Sequence, residues 1–62
     1  MTEYIARKDN NQTYLAKDSQ MDDFLKNGCN IYMVKNGIET LIATPEDGYL
    51  VEKPKFPIYI TN

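Results

Sequence analysis

Apolar residues along this chain come in short clusters, and the spacing within each cluster indicates what element it forms. Tyr4, Ile5 and Ala6 lie among polar residues from Thr2 to Lys8, and Tyr14, Leu15 and Ala16 lie within Gln12 to Lys17. Asp9, Asn10 and Asn11 separate the two clusters. Asn and Asp tolerate left-handed backbone and bond to it locally, so the clusters read as the strands of a hairpin. The period then lengthens. Met21, Phe24 and Leu25 recur at i, i+3 and i+4, the apolar stripe of a helix about two turns long. Ser19 and Asp22 occupy the positions of a capping box, with Asp18 the alternative cap. Asp22 and Asp23 suit the positive end of the helix dipole, and Gly28 supplies the stop. A helix this short does not persist alone, so it must pack on a sheet.

The next stretch supplies that sheet. Asn30 to Lys35 and Ile38 to Ala43 flank Asn36-Gly37, a strong hairpin signal because both central residues of a type I′ turn need positive φ. A two-residue turn sets Lys35 opposite Ile38, Met33 opposite Thr40 and Ile31 opposite Ile42 on one face. It sets Tyr32 opposite Leu41 and Val34 opposite Glu39 on the other. Both faces are apolar near the open end. The pattern therefore does not choose which face receives the helix, and it suggests cover on both sides at that end. Thr44-Pro45-Glu46-Asp47-Gly48 reads as a turn and Tyr49-Leu50-Val51 as a short strand. Pro54 and Pro57 keep Lys53 to Pro57 out of a central strand, and Ile58-Tyr59-Ile60-Thr61 is again β-prone. The expected fold is α+β: a small antiparallel sheet of four to five short strands with one short helix packed on it. Residues 1–53 form the domain, and 54–62 a Pro-spaced extended C-terminal arm or edge strand.

Size sharpens this picture. A chain of 62 residues buries only about 60% of the surface its unfolded form exposes. One cysteine and no histidine exclude an internal disulfide and remove the commonest zinc ligand, which leaves association with another chain as the favoured support. Seven Lys and Arg face nine Asp and Glu, a net charge of −2. The cations are scattered among carboxylates with no basic stripe, so direct nucleic-acid binding is not expected. Met1 to Tyr4 lack the charged start and long apolar stretch of a secretory signal, and no apolar run approaches the length of a membrane span.

Candidate chemistry is sparse. Without histidine, the usual acid–base group at neutral pH is missing. Asp22/Asp23 and Glu46/Asp47 are sequence neighbours whose side chains point apart. Cys29 follows a helix end and is expected as a buried, inert thiol. The three glycines are isolated rather than gathered in a phosphate-cradling loop. The expectation is no catalysis, no cofactor and no metal. Five tyrosines and two phenylalanines could stack bases only beside a basic groove, so sheet packing and protein contact fit them better. The residues expected to meet a partner are Tyr49, Val51, Phe56, Ile58, Tyr59 and Ile60. The extended segment carrying them would add a strand to a neighbour's sheet edge or fold back on its own sheet.

The run Asp18…Met21…Phe24-Leu25-x-x-Gly28-x-x-Ile31-Tyr32, followed by a hairpin, resembles small accessory proteins of tailed-bacteriophage and prophage structural gene clusters, over Lys17 to Leu50. The resemblance implies a non-enzymatic virion component, either a capsid decoration or a part of the head–tail connector. Such a protein acts by protein–protein assembly, as an oligomer or with a capsid or neck protein. Its place is the virion, or the host cytoplasm during assembly. The alternative expectation is a small acidic phage protein that inhibits a host enzyme or defence complex, with Asp22, Asp23, Glu46 and Asp47 as its acidic face.

Overall fold

The structure, a computed structural model, describes residues 1–56. Strand β1 (Thr2–Lys8) turns into β2 (Asn11–Tyr14), helix α1 (Ser19–Lys26) follows, and β3 (Asn30–Lys35), β4 (Ile38–Thr44) and β5 (Gly48–Tyr49) complete the order. The strands form one five-stranded sheet in the order β2-β1-β3-β4-β5, with every neighbouring pair antiparallel. This is the small α+β fold expected from the hydrophobic pattern.

Because β2 and β3 both run antiparallel to β1, they are parallel to each other. The path β2-α1-β3 is therefore a crossover spanning β1, a connection whose hand is nearly always right, so topology dictates which face the helix covers. The helix packs on the Ile31, Met33 and Ile42 face: Met21 and Cys29 join Ala6, Ile31, Ile42 and Ala43 in one buried cluster. Met21, Ile31 and Ala43 have no exposed surface, and Ile42 has 1%. Ile5, equally buried, stands on the opposite face beside Tyr32 and Leu41.

The turn residues behave as their backbone demands require. Asn36 and Gly37 have φ of 53° and 78°, and Lys35 pairs with Ile38. The register then departs from the expected Ile31–Ile42 pairing. A bulge between Ile31 and Tyr32 shifts the ladder, so Ile31 pairs with Ala43 and Ile42 is the extra residue. Two residues on β4 then oppose one on β3, and both enter the buried cluster. A regular ladder would have sent one of them to the other face.

The helix ends as expected but does not begin so. Gly28 has φ of 87°, its N–H donates to Leu25 O at 3.0 Å, and the Cys29 N–H donates to Phe24 O at 3.0 Å. Those two bonds are the Schellman pair. At the other end the Ser19–Asp22 capping box is absent. Asp18 is the N-cap, with φ −64° and ψ −30° and no side-chain cap bond. A residue already in helical conformation cannot fold its carboxylate over the first N–H groups as an extended cap does. Gln20 takes a different role: its Oε1 accepts from the Ala16 and Lys17 N–H groups at 2.6 and 3.1 Å. That bonding draws Ala16 and Lys17 out of the expected second strand, which stops at Tyr14, although the Leu15 N–H still reaches Tyr4 O at 2.9 Å. The expected Tyr49-Leu50-Val51 strand is also shorter. Only Gly48 and Tyr49 pair with β4, and one further bond runs from the Leu50 N–H to Ile42 O at 2.8 Å.

Met21 is the one fully buried residue of the helix. Met21→Ala should lower stability by about 2–5 kcal/mol, a large share of what so small a domain holds. Urea unfolding followed by circular dichroism measures it.

Candidate functional site

The described residues after β5, as far as Phe56, add no further strand to the sheet. They run as a strap past the start of α1. The Tyr49 hydroxyl donates to Asp22 Oδ1 at 2.8 Å, and Lys53 Nζ donates to Asp22 Oδ2 at 3.0 Å while lying 5.6 Å from the centre of the Tyr49 ring. Further along, the Asp18 N–H donates to Phe56 O at 2.7 Å, and the Phe56 N–H donates to Asp18 Oδ2 at 3.3 Å. Asp18 is thus engaged with the strap rather than capping its own helix. The Phe56 ring stacks on Tyr4 of β1, centroids 4.1 Å apart and planes 10° apart.

A groove of about 590 Å³ opens where the strap reaches β1. Tyr4 and Met33 come from the two central strands, Leu15 from the link into the helix and Phe56 from the strap, and no residue of α1 lines it. Thr2, Glu3, Lys35 and Lys55 edge it, all four exposed. Tyr4, Leu15, Met33 and Phe56 are half-buried and also pack against the core cluster. The groove has an apolar lining continuous with the core and a charged rim.

On the opposite face Arg7 does the covering. Its guanidinium lies 4.7 Å from the Tyr32 ring centre and forks onto both Glu39 oxygens at 3.0 Å. Gln12 Oε1 accepts from Arg7 Nε and Nη2 at 3.2 and 2.7 Å. The hydrogen bond from Arg7 holds the Glu39 carboxyl below its ordinary value.

No protein-family model, curated protein or solved structure matches this chain. The site is therefore read from its own residues. Of those expected to meet a partner, Tyr49 is half-buried against the core and bonded to Asp22, Val51 is exposed, and Phe56 forms one wall of the groove. Ile58, Tyr59 and Ile60 lie outside the described residues. So does the rest of the expected arm beyond Phe56; Pro54 is half-buried beside Lys55 and Phe56. Sequence reasoning missed Tyr4, Leu15, Met33, Lys35 and Lys55; the β1–β3 pairing sets Tyr4 opposite Met33 and Thr2 opposite Lys35, and the strap adds Lys55 beside Phe56. The lone signal was a phenylalanine between two prolines, an apolar side chain in a stretch unfit for a central strand. Asp22, one of the four carboxylates of the expected acidic face, is paired with Lys53. Among the described residues no group of three or more Cys, Asp and Glu is placed to hold a metal ion, and no helix is long and apolar enough to cross a membrane.

The hydrogen bonds from Lys53 and then Tyr49 lower the Asp22 carboxyl from its ordinary 3.8. A depressed carboxyl stabilises the fold above the unfolded-state value and loses that contribution as pH falls through the folded one. Asp22→Asn should therefore lower Tm at pH 7, and the gap to wild type should narrow as pH falls below the ordinary carboxyl value of 3.8. Thermal melts across pH test this; a gap independent of pH would reject the assignment.

Proposed function

We propose that this chain is a non-enzymatic assembly protein that binds other protein chains through the groove between Tyr4, Met33 and Phe56. The observation that carries this reading is the distribution of polarity around it. Small-molecule sites place a few polar groups deep among apolar walls to orient a ligand. Here no polar or charged side chain among the described residues is buried, and the polar groups of the groove stand at its exposed rim. An apolar centre with a wet polar rim is the anatomy of a protein interface.

The resemblance over Lys17 to Leu50 supplies the setting: a tailed-phage or prophage virion accessory protein, acting as a capsid decoration or a component of the head–tail connector. The inhibitor reading loses support because Asp22 is already tied to Lys53 and Tyr49.

Mass spectrometry of purified particles from a lysogen or phage carrying the gene tests this. The wild-type chain should be recovered with the particles, and the double variant Lys35→Glu, Lys55→Glu should be recovered at roughly tenfold lower amounts, as expected for loss of about 1.4 kcal/mol of binding. Particles free of the wild-type chain would overturn the reading.

A further inference from the structure

The same chain carries a segment complementary to this groove. Past β5, Leu50 and Val51 are 51% and 48% exposed, and they are the adjacent pair among the exposed large hydrophobic residues described. Glu52 follows them, and Glu46 and Asp47 stand in the turn before β5, all exposed. The neighbouring cation, Lys53, is held by Asp22. The segment thus offers two apolar side chains bracketed by carboxylates. The groove offers apolar walls and two amines, Lys35 and Lys55, against the single carboxylate of Glu3. Leu50 cannot reach its own groove, because its N–H is bonded to Ile42 on β4 while Tyr4 and Met33 stand on β1 and β3.

We propose that the groove of one copy receives the Leu50-Val51 segment of a second copy, with Glu52 of that segment set against Lys35 and Lys55. This rests on the reading of the groove as a protein-docking surface, and it names the occupant. The two contacting patches differ, so the contact is head-to-tail. Each copy keeps a free groove at one end and a free segment at the other, and repetition yields a ring or an open filament rather than a closed two-fold dimer. Rim ion pairs are individually weak, so burial of Leu50 and Val51 carries the affinity and the charges select the orientation.

Sedimentation velocity of the full chain from about 1 µM to about 1 mM spans the affinities that weak assembly contacts show. Wild type should form larger species as concentration rises. Leu50→Asp with Val51→Asp, and separately Lys35→Glu with Lys55→Glu, should each shift association to at least tenfold higher concentration. A mixture of these two double variants should form a complex of two copies and nothing larger, because one intact groove then meets one intact segment. Adding Glu52→Lys to the Lys35→Glu, Lys55→Glu chain itself, which reverses both sides of the contact, should restore part of the lost association. All the substituted positions are exposed, and unchanged melting temperatures check that folding is kept; if the aspartate pair lowers Tm, Leu50→Ser with Val51→Ser replaces it. A wild-type chain monomeric to about 1 mM, double variants that associate as wild type does, or a mixture that stays monomeric would each overturn the inference. A monomeric wild type that still enters particles would remove self-docking and leave the assembly reading standing.

Discussion

A two-turn helix must be held on a small sheet, and the rest of the structure follows from how that is done. Eight residues of helix cannot sustain themselves in water, and among them only Met21 is fully buried. Both ends are therefore pinned. Gly28 closes the C-terminal end with the Schellman bonds and turns the chain directly into β3. The strap secures the other end through Asp18 and Asp22, side chains that a free helix would use for its own cap or leave in solvent. The orphan N–H groups at the helix start lose a cap, and the fold gains a contact that joins the end of the described chain to β1 through the Phe56–Tyr4 stack.

The groove is a consequence of this economy. A helix of this length does not reach the end of the face on which it lies, and the strap borders the remainder without filling it. Tyr4 and Met33, which a longer helix would bury, stay half-exposed. Among the described residues no further element closes this opening. On the proposed reading this opening is the surface that takes a second chain, and the exposed Leu50-Val51 pair beside β5 is the segment that enters it. Arg7 deals with the opposite face by other means. Laid across Tyr32 and forked onto Glu39, its guanidinium covers aromatic surface that no second helix covers among the described residues.

Positions with purely local demands were legible from the sequence. Asn36-Gly37 and Gly28 need positive φ, and few residues adopt it cheaply; Met21, Phe24 and Leu25 mark one side of a helix wherever it lies. These residues determined one helix, the central hairpin, its register near the turn and the α+β class. What pairs across space was decided only by tertiary structure. The face that receives the helix follows from the crossover over β1, a property of chain path that identical strand patterns on both faces cannot encode. The bulge at Ile42 puts Ile42 and Ala43 together in the cluster that holds Met21, a register that only the packed sheet sets. The missing capping box has the same origin: Asp18 and Asp22 had local partners available, and the strap from more than thirty residues downstream bonds them instead. The groove, built from β1, β3, the link before α1 and the strap, exists only once those four meet, because no short stretch of the chain contains more than one of its walls.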